Sequence, residues 1–331
     1  MKKIIIFGAT GNIGAYFTDY CKAHLDEREY EIIAVGRRKT DYFQNKGIAY
    51  INVDICKDED FSQLPQEDIY AIVNATGLLP AYLKEYDPFA YIETNIKGSL
   101  RILEYARKTN TDRVLYTQTW AEQAGYWGKE EVLSPNMPTK LLYTGDHAFY
   151  SITKTMVVET MEHYKQEYGV KNFIFRLPNV YLYHPDKYYF VDCIKKPVAY
   201  RYMIDKAMKG EPIEMWGDPD AFKDVLYIKD LCQMMYKALF ANVDGGIYNA
   251  GTGIRTTLRS QIEGIIDVFS PKDLKSEIIE KPEKSSFVSF VMDIENAKRD
   301  LGYSPEFTYI RYLEDYKKEQ KLKRFDELWM K

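Results

Sequence analysis

The sequence predicts an α/β protein: a doubly wound parallel sheet followed by a smaller α/β region. Three observations lead there. Short apolar runs alternate with longer helical patterns through the first half of the chain. Those runs are continuously apolar, as strands covered on both faces require. A glycine-rich turn, Gly8-Ala-Thr-Gly11-Asn-Ile-Gly14, joins the first strand to the first helix. With 331 residues, the chain is long enough for two domains or one with an elaborated end. Its 46% hydrophobic content makes a packed core easy to build.

Strands are expected at Lys3–Phe7, Glu31–Val35, Ala49–Val53, Ala71–Ala75, Arg113–Thr117 and Asn172–Leu177. Helices are expected at Ile13–Leu25, Phe89–Thr109 and Tyr150–Tyr168. In the second of these, Phe89, Ile92, Ile96, Leu100, Leu103 and Ala106 follow a helical period. Glu122–Phe149 has no clear period and contains Pro135 and Pro138, so it reads as a surface loop near the site. Beyond Arg176, residues 179–197 read as a loop rich in Tyr, Pro and charge. A helix at 198–209, a strand at 213–216 and a turn at 217–221 follow. Then come a helix near 230–240, a strand at 246–249 and a helix at 258–269. The last helix is expected at 293–301, stopped by Gly302. No linker is evident, so the second half is expected to pack on the first.

Composition excludes several classes. Net charge is −4, with 45 basic against 49 acidic residues, which argues against a nucleic-acid partner held by phosphate contacts. No stretch approaches the ~20 apolar residues of a membrane span. Met1-Lys-Lys and Ile4–Phe7 resemble the start of a secretion signal, but the run halts at Gly8 without a cleavage site and reads as a strand. Cys21, Cys56, Cys193 and Cys232 are scattered, with no histidine at ligand spacing. They fit a reduced, cytoplasmic protein with neither disulfide framework nor metal site. The 29 tyrosines read as packing residues rather than a sugar-binding platform.

The glycine turn points to a dinucleotide. Gly8, Gly11 and Gly14, with Thr10, Asn12 and Ile13 between them, would let the chain turn tightly and aim a helix N-terminus at a pyrophosphate. The second strand ends Val35-Gly36-Arg37-Arg38, without the acid that usually binds an NAD ribose. NADP(H) is therefore favoured over NAD(H). Arg37 is the preferred 2′-phosphate contact, with Arg38 beside it; otherwise the two are solvated arginines.

Tyr150 and Lys154, in Tyr150-Ser-Ile-Thr-Lys154, share one helix face. A free tyrosine has a pKa near 10, and half-ionisation at neutral pH requires a shift worth roughly 4 kcal/mol. A nearby ammonium favours the phenolate, as does the positive charge of an oxidised nicotinamide. Lys154 would also bind the nicotinamide ribose. A hydroxyl to orient the substrate oxygen is expected at Thr119, with Thr117 as the fallback. The set suits proton and hydride exchange with an alcohol or ketone.

At this point the chain resembles the extended short-chain dehydrogenase/reductases of the nucleotide-sugar epimerase/dehydratase family. The likeness runs through Gly8–Gly14, Val53-Asp54-Ile55, Asn74-Ala-Thr-Gly77, Asn95-Ile-Lys-Gly98, Thr119, Tyr150/Lys154 and Arg176-Leu-Pro-Asn179-Val-Tyr181. It continues through Lys223–Asp230, Tyr248-Asn-Ala-Gly251 and Asp293–Pro305. It implies a Rossmann-type domain over 1–178, with a return segment near 224–252, and a mainly substrate-binding domain over 179–331. It also implies that Asp54 and Ile55 contact the adenine, that Ala75 and Thr76 line the cofactor ribose, and that Asn95 and Pro178 lie at the cofactor. Asn179 would touch the substrate diphosphate. Lys223 and Lys281 stand where the family usually carries arginines; a lysine keeps the charge but loses the two-pronged fork. A homodimer through the helices at Pro88–Thr109 and Tyr150–Tyr168 is implied as well.

Departures narrow the reaction. Trp120-Ala121 replaces the Asp-Glu of the 4,6-dehydratases, so dehydration is not expected, and Glu122 is out of register. His184 matches a general-acid histidine of the GDP-fucose synthases, whereas the synthase cysteine is Ala121 here. The leading reading is a nucleotide-sugar 4-epimerase, because Thr119, Tyr150 and Lys154 suffice for it. The alternative is an NADPH-dependent nucleotide 4-keto-sugar reductase using His184. A third reading, behind both, is a non-catalytic NADP(H)-binding sensor.

Overall fold

The computed structural model describes residues 1–330. Six of its principal strands arise where the apolar runs predicted them: β1 (Lys2–Phe7), β2 (Tyr30–Gly36), β3 (Ala49–Asn52), β4 (Ile69–Asn74), β5 (Arg113–Thr119) and β6 (Lys171–Leu177). A seventh, β7 (Gly245–Asn249), returns from the second half of the chain to pair with β6. The sheet order is β7-β6-β5-β4-β1-β2-β3, parallel throughout. The order reverses between β1 and β4, the switch point where such sheets open a crevice at their carboxyl ends.

The two faces of β1 feed separate cores. Ile4 and Ile6 join one cluster with Val73, Leu115, Phe173 and Tyr248. Ile5 and Phe7 join the other with Ile72, Val114, Tyr116 and Ile174. Both faces are covered, so the strands had to be apolar at every position.

Helix α1 (Asn12–His24) lies on the first face. On the second lies α2, a rod built of Pro88–Tyr91, a π-helical stretch Ile92–Gly98, and Ser99–Lys108. Beside it lies α3 (Ala148–Tyr168). The second half adds α4 (Ala199–Lys209), α5 (Ile228–Phe240), α6 (Leu258–Phe269), α7 (Glu295–Leu301), α8 (Tyr309–Leu322) and α9 (Asp326–Trp329).

Three expectations need correction. The segment 179–197 is not simply a loop: Val180–Tyr181 pairs with Leu226–Tyr227, and Tyr188–Val191 forms a hairpin with Ile194–Pro197. Val132–Leu133, inside the expected loop 122–149, pairs with Val291–Met292. The helix at Glu295–Leu301 is not the last. Thr308 caps α8 by accepting from the Arg311 N–H, and the buried side of α8 is Tyr312, Leu313 and Tyr316. Many of the tyrosines are core residues, among them Tyr16, Tyr91, Tyr116, Tyr227, Tyr248, Tyr303 and Tyr312.

Candidate active site

The glycine turn sits at the carboxyl end of β1. Gly8 has φ +80°, and a Cβ there would stand 2.7 Å from the Ala75 carbonyl oxygen. A Cβ on Gly14 would meet the Gly8 oxygen at 2.1 Å. Only glycine allows this approach of α1 to β1 and of β1 to the β4 loop. Gly11 caps α1 without a side-chain hydrogen bond, so the amides of its first turn remain available to an anion. Thr10 packs its side chain against Gly36, and Ile13 packs on the core. Asn12 Nδ2 donates to Tyr82 Oη at 3.0 Å.

The end of β2 divides its two arginines. Arg38 Nη1 donates to the Leu328 carbonyl of α9. That bond uses one of the five N–H donors of its guanidinium, and Arg38 is exposed beside Arg37. Arg37 is exposed and makes no side-chain ion pair among the described residues. Past β3, the Asp54 carboxylate accepts from the Cys56 N–H, and Ile55 is buried under α2, where a Cβ on Gly98 would stand 2.6 Å from its Cδ1. Ala75 N donates to the Phe7 oxygen, and Thr76 bonds Asn74 Oδ1 through both its N–H and its hydroxyl.

Asn95 lies in the π-helical turn of α2 and is buried. Its Oδ1 accepts from Leu78 N (2.7 Å), and its Nδ2 donates to Thr153 Oγ1 (3.1 Å). One side chain thus ties the β4 loop to α3, one residue before Lys154. π-helical turns recur at functional sites because they re-aim single side chains in this way.

Tyr150 and Lys154 lie one turn apart on α3, which packs against β5 and the turn after it; they are 7% and 2% exposed. Lys154 Nζ sits 4.0 Å from the centre of the Tyr116 ring and makes no hydrogen bond among the described residues. Burial pushes its pKa down to about 7. Burial also pushes Tyr150 up, with Tyr91 and Tyr82 adding to the rise. The protein alone therefore keeps the phenol protonated, and the cations that would ionise it are a charged Lys154 and a ligand. The buried Lys154 amine, without an acceptor and 3.7 Å from where a Cβ on Gly77 would stand, fits a ribose hydroxyl, and the open amides at the start of α1 fit a pyrophosphate. Gly8, Gly11, Gly14, Ala75, Thr76 and Lys154 would hold them.

Thr119 ends β5, and its Oγ1 accepts from Ala121 N at 3.2 Å. Thr117 instead turns its hydroxyl into the sheet toward the Asn74 carbonyl, at 3.4 Å. Glu122 is held away. Its Oε1 accepts from Arg176 Nε at 2.5 Å and its Oε2 from Gln118 Nε2 at 2.7 Å, and Glu122 and Arg176 are each 2% exposed. Arg176 Nη1 also donates to Asn249 Oδ1.

His184 lies on the segment that follows β6. Its ring stacks on Trp329 at 4.5 Å, and its Nδ1 accepts from the Asp186 N–H. Burial, then the Arg201 guanidinium, pushes its pKa down to about 4. Pro178 is buried and Asn179 exposed at the end of β6. Lys223 Nζ lies over the Phe287 and Tyr181 rings, and Lys281 ends a strand paired with Ile213–Trp216. Sequence reasoning did not single out Tyr82, which adds to the rise at Tyr150, Asp146 and His147, which directly precede α3, or the buried Arg201. For Arg201 the signal was present: it stands on the buried stripe Arg201, Ile204, Ala207 of α4.

The profile of the NAD dependent epimerase/dehydratase family matches residues 4–251. The chain belongs to that family. A putative UDP-glucose 4-epimerase of Methanocaldococcus jannaschii is 24% identical over 310 residues, covering 92% of this chain and 93% of the relative. A dTDP-glucose 4,6-dehydratase of Escherichia coli is 25% identical, covering 93% and 89%. Among solved structures, the UDP-glucose 4-epimerase of Thermotoga maritima with UDP-glucose superposes with a TM-score of 0.75 at 20% identity, covering 96% of this chain and 99% of that one. The fold is therefore the Rossmann-type fold of NAD-dependent nucleotide-sugar epimerases and dehydratases, and the chain is an enzyme of that class. No helix among the described residues is long and apolar enough to cross a membrane.

Proposed function

We propose that this enzyme is a nucleotide-sugar 4-epimerase acting by transient oxidation at the sugar C4. The observation that carries the reading is the fixed state of Glu122. The one acid just past Thr119 is locked to Arg176, so Thr119, Tyr150 and Lys154 stand without the extra acid-base pair that water elimination requires. A nicotinamide dinucleotide, when bound, supplies the hydride acceptor and donor. Thr119 orients the sugar hydroxyl, and Tyr150 takes its proton and returns it after the sugar has turned. Lys154 holds the ribose and, once charged, stabilises the phenolate.

Arg37, exposed and without an acid beside it, supports NADP(H). Solved relatives such as the Thermus thermophilus UDP-glucose 4-epimerase complex with NAD support NAD(H). Mass spectrometry of dinucleotide released on denaturation decides between them. The function itself is tested by incubating the purified protein with UDP-, dTDP- and GDP-hexoses, without added dinucleotide, and following anomeric protons by NMR. Interconversion of C4 epimers is expected. A 6-deoxy-4-keto product, or turnover only with consumption of NADPH, would overturn it. The second outcome would favour the reductase, which Arg37 and His184 support.

A further inference from the structure

We infer that Tyr82 clasps the glycine turn across the crevice, and that a bound dinucleotide leaves only after this clasp opens. Asn12 stands inside the turn, between Gly11 and Ile13, and its Nδ2 donates to Tyr82 Oη at 3.0 Å. The two residues are 70 positions apart, so the bond joins separate parts of the fold. Tyr82 ends a one-turn helix, Pro80–Tyr82, in the loop that leaves β4. That loop begins at Ala75, whose carbonyl oxygen a Cβ on Gly8 would approach to 2.7 Å, and passes Gly77 beside the Lys154 amine. After burial and Tyr91, Tyr82 is the group that holds the Tyr150 pKa up. Its phenol therefore bonds the glycine turn and also stands within electrostatic range of Tyr150.

A dinucleotide held by the α1 amides at one end and by Lys154 at the other must run between these two points. The bond from Tyr82 to Asn12 crosses that run. The Asn12 end of the clasp is fixed. Trp329 Nε1 donates to the Thr10 carbonyl at 3.2 Å, and a Cβ on Gly14 would meet the Gly8 oxygen, so the turn has no room to shift. The Tyr82 end can swing. Tyr82 is 58% exposed, and Lys84, Glu85, Tyr86 and Asp87 after it are exposed too. Few apolar contacts break when such a segment lifts, which places it at the low-stability end of the fold. Asp87 caps α2 by accepting from the Ala90 N–H and sets the far limit of the moving piece. The strand Tyr188–Val191 packs on Pro80–Tyr82 and backs the closed position.

A phenol suits this position. Tyr82 Oη accepts from Asn12, which leaves its own hydrogen for an oxygen of the bound dinucleotide. The clasp bears on the reaction because a sugar oxidised at C4 must take its hydride back from the same dinucleotide. At this point alone the inference rests on the proposed function: an epimerase requires retention, whereas a reductase requires exchange at each turnover. Tyr82 is thus a positioning residue, which acts on the dinucleotide through the turn that holds it.

The test follows release. Native protein and Tyr82→Phe are loaded with NADH and, separately, with NADPH. Each is then chased with excess NAD or NADP while the nicotinamide fluorescence is followed by stopped flow. Tyr82→Phe removes one hydrogen bond from an exposed side chain, so it should fold as the native protein does and release dinucleotide about fivefold faster. In an Asn12→Ala background the same substitution should add no more than about twofold, because the bond is already gone. Equal release from native protein and Tyr82→Phe overturns the clasp. So does an equal acceleration in both backgrounds, which would make Tyr82 a direct contact of the dinucleotide. A native protein that takes up neither dinucleotide leaves the clasp nothing to hold and overturns it as well. The epimerase reading fails on separate ground, if the native protein exchanges its dinucleotide at each turnover and interconverts no C4 epimers. In that case the ratio of the two release rates still decides the clasp.

Discussion

Tyr150 and Lys154 carry opposite burdens from the same burial. Tyr150→Phe removes only the titratable hydroxyl, so turnover is expected to fall by about 10²- to 10⁴-fold while dinucleotide and nucleotide affinities stay within twofold. Single-turnover kinetics with calorimetry check this, and activity near native levels would remove Tyr150 from the chemistry. Lys154 gives a stability prediction. Its folded pKa, about 7, lies below the unfolded value of 10.5. Between those values the unfolded chain binds more protons, so stability rises with pH across the window, by about 1.4 kcal/mol per unit for this one group. Tyrosines with raised pKa act the other way, but only near pH 10 and above. Urea melts of the dinucleotide-free protein from pH 7 to 9.5, native against Lys154→Met, should show the slope in the native protein alone. Parallel slopes would mean that the ammonium is better solvated than its burial implies.

At the scale of elements, Glu122 and Arg176 join the turn after β5 to β6, and Asn249 extends the tie to β7 while its Nδ2 holds the Leu133 carbonyl. Removing one partner leaves a buried, uncompensated charge, so Arg176→Met should cost about 3–5 kcal/mol in denaturant unfolding, whereas Glu122→Leu/Arg176→Met should recover much of it. Additive losses in the double variant would show that the pair itself stabilises the junction. This tie was not legible in the sequence, because its members are 54 positions apart and each alone reads as a surface charge. What was legible was local. The glycine turn, the Tyr150/Lys154 spacing and the six early strands depend on neighbours within one turn or one apolar run. The hairpin at 188–197 escaped notice because its turn uses Asp192 (φ 48°) and Cys193 (φ 61°) rather than glycine. Helix α8 escaped because its buried stripe is largely tyrosine, which composition had already suggested to be general packing.

At the scale of the whole molecule, the chain closes on itself. Phe325 and Leu328 are fully buried, Tyr42 donates to the Arg324 carbonyl, and Trp329 reaches Thr10, so the last described residues pack against the first βα unit. The opposite flank is different. Helices α2 and α3 pack together but leave Phe89, Leu100 and Met156 exposed, at 80%, 42% and 50%. Scattered apolar side chains are ordinary on a surface, yet the family resemblance implies a homodimer through these two helices. A stable isologous interface needs roughly 800 Å² from each partner, and apolar residues near its centre tolerate charge poorly. The expectation is that the native protein sediments as a dimer at micromolar concentration. Leu100→Glu/Met156→Glu should shift it to a monomer that keeps its far-UV spectrum. A native monomer would end the dimer reading. A dimer indifferent to both charges would move the interface off α2 and α3, leaving Tyr150 on a helix whose outer face is open to solvent rather than clamped by a partner.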